Sequence, residues 1–584
     1  MTSLSLALAT ITSAAASGAV VRILIRKRRG LHETMVLSFD TTPARARRGW
    51  SAFWARDPFV QTQLQRQGVA FGTYKVPGRE EAIATHIAPA DMQQHTLILG
   101  ATGSGKSSLL ETLARYHLRK KQGFALIDLH GDLFTRVAAW ALALKAKNLV
   151  LLDFTRPEFL PGWNPLMEIE GVDTGRQVDL LVGVLKRLYA GEDAASWAWG
   201  VKVEELMRYA LRACIEAHAN GGVISSLADL PRFFLIPSIR QNIVRHASAT
   251  TRAYFTTRFG AREEMYVSAV LNKLEPFLGS LAVQRFLGQP KTTFDLFGAM
   301  DRGDTVLVNL AKGYLGPTAD VMGRLLANAL QAAALRRERV SPDKRRRYAL
   351  LLDEAHVLAA AESGLEDFLV AARKYKVFVT LAAQGLSLFP PNFRPHLLGN
   401  TARQFFFRLP HSEARMLARD IFEPLGSVWR TQTRPNEAIE DPLLTPAEEL
   451  AWRTRELASL PVGACYWYLK DRPYKARCIR VSPPLPLPFT PARVRREIDA
   501  FMARGKGIAV PAVVDDQVQS TFGQGDCRAE RAPELRRRYR RGSPACDARG
   551  IIRMTKAPTA SSGKFATERA ASVSTRYPIP HPPL

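Results

Sequence analysis

Cysteine is scarce in this chain, with five in 584 residues. Cys214, Cys465, Cys478, Cys527 and Cys546 are scattered without a CxxC pair, so neither a zinc site nor a disulfide framework is supported. That pattern fits a reducing cytoplasm. Acidic residues are also in short supply: Asp and Glu number 54 against 81 Lys and Arg, leaving a formal charge of +27. The imbalance points to a polyanionic partner, with an Arg- and Ala-rich genome bias as the competing account. No helix-turn-helix, zinc-finger or RNP-like signature is present, so base-specific reading of a nucleic acid is not supported. A long hydrophobic run is missing as well. Residues 2–21 carry no charge and lead into Arg22 and the cluster Arg26-Lys27-Arg28-Arg29, but Ser, Thr, Ala and Gly dominate residues 13–18. This stretch is either a weak membrane anchor held with its basic flank in the cytoplasm or an Ala-rich arm, and it lacks the positive start of a cleaved signal.

What is present from His95 onward is an α/β pattern. Short apolar runs bounded by turn signals occur at residues 96–99, 124–128, 149–153, 305–310, 348–353, 377–381 and 404–409. Seven such strands joined by helical segments imply a mostly parallel sheet covered on both faces. Between Asn164-Pro165-Leu166 and about Asp295 helical periodicity takes over, in residues 178–189, 201–217 and 266–278. The expected organisation is a candidate anchor with basic cluster (1–30), a segment leading into the core (31–94), and an α/β core (95–166 and 296–483) interrupted by an all-helical insertion (167–295). A Pro-rich linker, a short basic helix at residues 491–504 and a basic, unstructured tail make up residues 484–584, the tail including Arg536-Arg537-Arg538-Tyr539-Arg540-Arg541. No internal repeat is found.

The first strand runs into Gly100-Ala101-Thr102-Gly103-Ser104-Gly105-Lys106-Ser107, with Ser108 following as a helix opens. Glycines between a strand and a helix let successive backbone N–H groups wrap a phosphate at the positive end of the helix dipole. Lys106 would reach the β and γ phosphates of ATP, and the Ser107 hydroxyl would ligate Mg²⁺. Residues 348–352 form an apolar strand ending in Asp353-Glu354, the acidic pair such a site needs. Asp353 would hold Mg²⁺ through water and Glu354 would polarise the attacking water. Adjacent strand residues point to opposite faces, so the backbone must turn if both acids are to serve one site. Gln384, after the strand at 377–381, is placed to orient that water. Charge on the transferred phosphoryl group calls for a cation, commonly an Arg from a neighbouring subunit in ring ATPases. Arg373 and Arg408 are the candidates, each with a structural ion-pair role as the alternative.

Taken together, these segments resemble the HerA–FtsK class of P-loop ATPases, and within it the TraD/TraG-type coupling ATPases of conjugation and type IV secretion. The resemblance spans roughly residues 95–483. It is carried by His95-Thr96-Leu97-Ile98-Leu99, Ile127-Asp128-Leu129-His130-Gly131-Asp132-Leu133, Asn164-Pro165-Leu166, Leu352-Asp353-Glu354-Ala355-His356, Arg373-Lys374-Tyr375, Gln384, and Asn400 ahead of Phe405-Phe406-Phe407-Arg408-Leu409. It implies a RecA-like core with an all-α domain, assembling as a homo-hexamer around DNA, and an arginine supplied in trans; sequence-independent phosphate binding is the functional reading of the basic tail, with an unselected extension as the alternative. Arg373 and Gln384 match the family's Arg and Gln, and Asp128 and His130 fall near the phosphates without touching them. Relaxase and secretion-channel partners and an inner-membrane association follow from the same resemblance. The weak N-terminal segment and the basic tail depart from the family pattern. A soluble HerA-like DNA-processing or defence ATPase and a secretion ATPase acting on protein substrates are the alternative functions.

Overall fold

The computed structural model describes residues 57–65, 67–76, 82–169, 172–186, 200–358, 365–422, 444–470, 472 and 476–504. The candidate anchor at residues 1–30 and the basic tail beyond residue 504 lie outside the described residues. Eleven strands form one sheet: β1 (Val69–Tyr74), β2 (Ile83–Ile87), β3 (Thr96–Leu99), β4 (Phe124–Asp128), β5 (Leu149–Asp153), β6 (Thr305–Asn309), β7 (Tyr348–Leu352), β8 (Val377–Ala383), β9 (Arg403–Phe406), β10 (Ala464–Leu469) and β11 (Arg477–Val481). Their spatial order is β2-β1-β11-β10-β9-β3-β8-β7-β4-β6-β5. From β9 to β5 every neighbouring pair is parallel, and these strands are the seven apolar runs of the sequence. From β9 outward to β2 every pair is antiparallel.

Burial follows the two-residue period of a strand. In β4, Phe124 and Leu126 face one layer and Ala125 and Ile127 the other, and β6 and β7 split in the same way. The first layer holds the helices Lys106–Lys120, Asp132–Ala143 and Pro491–Ala503. The second holds Pro317–Arg336 together with helices between residues 174 and 287, where no strand occurs among the described residues. Because both faces are covered, the parallel strands are buried along their length, which is why they read as unbroken apolar runs rather than alternating ones. The result is a RecA-like α/β core.

Two boundaries differ from the sequence expectation. The sheet begins before residue 95, since β1 and β2 extend it through β11. The helix Pro491–Ala503, grouped by sequence with the linker and tail, packs into the core instead: Val494, Ile498 and Met502 are buried in the first layer, and Asp499 pairs with Arg156 at 2.6 Å. Apolar residues recurring every four positions give this short basic helix one face to dock.

Two histidines sit inside this core without charge. His95 Nδ1 accepts the Val379 N–H at 2.9 Å, and His117 lies 3.3 Å from Gln122 Oε1. Burial lowers both pKa values to about 4, against 6.5 for the free side chain. A base depressed in the folded state adds stability that is complete above its unfolded pKa and lost as pH falls from 6.5 toward 4. At pH 5 the expected loss is about 2 kcal/mol per histidine at 1.36 kcal/mol per pKa unit. Urea unfolding at pH 7.5 and pH 5 should therefore show a clear drop in midpoint, and replacing both histidines by asparagine should flatten it.

Candidate functional site

The carboxyl ends of the parallel strands form the rim where open α/β sheets bind ligands. Reading along that rim, the chain places Arg408 after β9, the glycine loop after β3, Gln384 after β8, Asp353-Glu354 after β7 and Asp128 at the end of β4. The acids are thus two strands away from the glycine loop, with Gln384 following the strand between.

The glycine loop is held from both sides. Gly100 N–H donates to the Ala383 carbonyl at 3.1 Å, Ala101 N–H to the Arg408 carbonyl at 2.7 Å, and Gly463 N–H to the Ser104 carbonyl at 2.8 Å. A Cβ on Gly100 would lie 2.5 Å from Phe407 Cβ, so the close approach of β9 requires glycine there. Gly105 has φ +119° and caps the helix Lys106–Lys120 without any side-chain bond, leaving the first-turn N–H groups for an anion. Thr102, Gly103 and Ser107 are exposed, and nothing lies within 4 Å of where a Gly103 Cβ would be. Ser104 Oγ is buried with no hydrogen-bond partner among the described residues. Lys106 Nζ donates to the Gly100 carbonyl at 2.7 Å, folding over the cradle that a phosphate would fill. Burial lowers its pKa, while the nearby carboxylates of Glu354 and Asp353 favour its charged form.

At the end of β7 the backbone makes the turn that the acidic pair requires. Glu354 has φ +49°, a left-handed conformation uncommon for a residue with a Cβ, and this brings two sequential carboxylates to one side. Glu354 Oε1 accepts from Gln384 Nε2 at 3.1 Å, and Oε2 faces His356 Nδ1 at 3.4 Å. Burial, with Asp128 and Glu354 close by, pushes the Asp353 carboxyl up to about 7, with Lys106 opposing. An acidic pair beside one lysine suits a divalent cation, which would in turn hold the phosphates. Ser107 and Asp353 are the residues that would hold Mg²⁺, whose bound charge would neutralise the phosphate oxygens.

The other sequence candidates lie both near this rim and away from it. Asp128 accepts the N–H groups of His130 at 2.9 Å and Phe134 at 2.8 Å, so it caps the helix Asp132–Ala143 and acts on Asp353 only through its charge. His130 is exposed. Arg408 is half-buried beside the glycine loop of its own chain. Arg373 is elsewhere: it lies on the turn Ala372–Tyr375, which precedes β8, at the opposite end of the sheet. Seven residues of β8 span about 20 Å at roughly 3.3 Å each, beyond the reach of an Arg side chain to its own glycine loop. Sequence reasoning gave no role to His356, Phe407 or Gly463. The signal for the first was its place two residues after Glu354, whereas the other two reach the loop only through the fold.

The family model for the central domain of the helicase HerA matches residues 77–151, a span that includes the glycine loop and β4. The chain is therefore similar to the HerA central domain over that span. No curated protein sequence matches it. Among solved structures, the bacterial conjugative coupling protein TrwBdeltaN70, in its unbound monoclinic form, is 15% identical, with 74% of this chain and 93% of that chain covered and a TM-score of 0.49. The plasmid coupling protein TrwB in complex with a non-hydrolysable ATP analogue is 17% identical, covering 73% and 97%, with a TM-score of 0.49. VirB4 of Thermoanaerobacter pseudethanolicus is 15% identical, covering 71% and 96%, with a TM-score of 0.43.

Proposed function

We propose that this chain hydrolyses ATP with Mg²⁺ at the carboxyl rim of its sheet and uses the energy to move DNA, as a coupling ATPase of conjugative or type IV secretion transfer. The observation that carries the reading is the grouping of Lys106, Asp353, Glu354 and Gln384 at one rim, with the Gln384 amide bonded to Glu354 at 3.1 Å. Lys106 and the first-turn N–H groups bind the phosphates. Glu354 takes the proton of the attacking water, which Gln384 orients. Arg373, out of reach of its own site, completes the site of the next copy in a ring, and the formal charge of +27 supplies the attraction for DNA.

Steady-state ATPase assays at moderate salt, with and without single- and double-stranded DNA, test the substrate. Stimulation by DNA, with affinity falling steeply as salt rises, is the expected result. Absence of both binding and stimulation with either form of DNA would overturn the DNA assignment while leaving the ATPase assignment standing. The HerA match favours a second reading, a motor that works in DNA processing away from any membrane. No described helix is long and apolar enough to cross a membrane. A carbonate-resistant membrane pool of the full chain counts against this second reading.

A further inference from the structure

The turn that carries Arg373 is fastened by two buried arginines from outside it. Arg337, 1% exposed, donates to the carbonyls of Tyr375 at 3.2 Å, Arg346 at 2.8 Å and Met300 at 2.5 Å, and pairs with Asp301 at 2.8 Å. Arg345, 7% exposed, donates to the carbonyls of Lys374 at 2.8 Å and Val340 at 2.8 Å, and its guanidinium carbon lies 5.4 Å from the Tyr375 ring centre. The two carbonyls that follow Arg373 in the chain are thus each held by a different guanidinium. The Arg373 carbonyl itself accepts the Lys376 N–H at 3.0 Å, closing the turn. Lys374 is tied to Glu338 at 3.3 Å. Arg373 and Lys374 are both exposed, but the Arg373 side chain has no hydrogen bond or ion pair among the described residues.

This arrangement is expensive if its purpose is only to close a loop. Burying a guanidinium carries a desolvation penalty that well-packed apolar residues avoid, and Arg345 meets backbone carbonyls rather than a carboxylate. What a planar, multi-donor fork provides is a fixed position for main-chain atoms. A catalytic cation gains from that, because a displacement of about 1 Å lowers rates by about 10²-fold.

We propose that Arg345 and Arg337 are positioning residues that lock the turn Ala372–Tyr375, so that Arg373 is presented, already placed, to the triphosphate bound by a second copy of this chain. The inference rests on the trans role of Arg373 and adds the device that sets its position. Arg345 is the residue to test, since Arg337 is wholly enclosed. In the full-length chain, Arg345→Met should bind nucleotide as the parent does, with kcat lower by about 10–100-fold and KM little changed. Mixed with Lys106→Ala chains, which are inactive alone, it should regain activity, because the Lys106→Ala copies supply an intact Arg373 to its sites. A subunit damaged in its own site or fold would not be rescued in this way. Arg345→Lys, keeping a charge and fewer donors, should fall between parent and Arg345→Met, and stands in if Arg345→Met fails to fold. Unchanged kcat, or a loss that mixing does not repair, overturns the proposal. Arg373→Ala run in parallel separates the two levels: if it is not rescued the trans reading fails, and if it is rescued while Arg345→Met is not, only the positioning role fails.

Discussion

Glu354→Gln is expected to keep ATP bound while turnover falls by roughly 10²–10⁴-fold, the usual contribution of a general base. The amide is the same size, and its oxygen can still accept the Gln384 Nε2–H that now goes to Glu354 Oε1. Geometry is therefore preserved while the group that takes the proton is removed. Binding should not suffer for an electrostatic reason. The Asp353 carboxyl is pushed up to about 7 partly by the charge of Glu354, so neutralising that neighbour favours ionised Asp353 and the cation it would hold. Fluorescent-nucleotide titration combined with single-turnover hydrolysis reads both quantities. Hydrolysis at the parental rate would remove Glu354 from the water-activating role.

Arg373→Ala should lose roughly 10³–10⁵ in kcat, the range for an arginine that stabilises transferred-phosphoryl charge from a neighbouring subunit. Nucleotide affinity of the isolated chain should hardly change, because the turn bearing Arg373 lies at the far end of β8 from the glycine loop. Mixing with Lys106→Ala chains should restore part of the activity, since some interfaces then combine an intact phosphate site with an intact arginine. An Arg373→Ala chain that keeps its turnover, or one that mixing leaves dead, makes Arg373 a structural residue. Arg408 is then the next cation to examine, although its carbonyl already serves the glycine loop of its own chain.

Much of the core was legible because its strands are buried on both faces. A run such as Tyr348-Ala349-Leu350-Leu351-Leu352, short and bounded by turn signals, reads as a buried strand, and the phosphate loop sits between strand and helix as the spacing demands. The antiparallel half of the sheet was not legible for the opposite reason. In β11 the buried residues Arg477, Ile479 and Val481 alternate with exposed Cys478 and Arg480, and a buried arginine at the strand's start hides the pattern. In β1, Gly72 interrupts the run because a Cβ there would lie 2.4 Å from the Arg480 carbonyl oxygen, a contact no local reading reveals. The acids and the glycine loop were readable as motifs. That the backbone turns at Glu354 into the left-handed region was a requirement of the chemistry, and the φ of +49° meets it. The clasp of Phe407 and Gly463 around the glycine loop depends on long-range contacts alone.

One consequence belongs to β8. Gln384 follows its carboxyl end and touches the acid that handles one ATP, while the turn with Arg373 precedes its amino end and, in the ring we propose, addresses the ATP next door. A strand hydrogen-bonded on both sides does not stretch, so a push at one tip arrives at the other. In that ring, a shift at one nucleotide would reach its neighbour as a displaced cation.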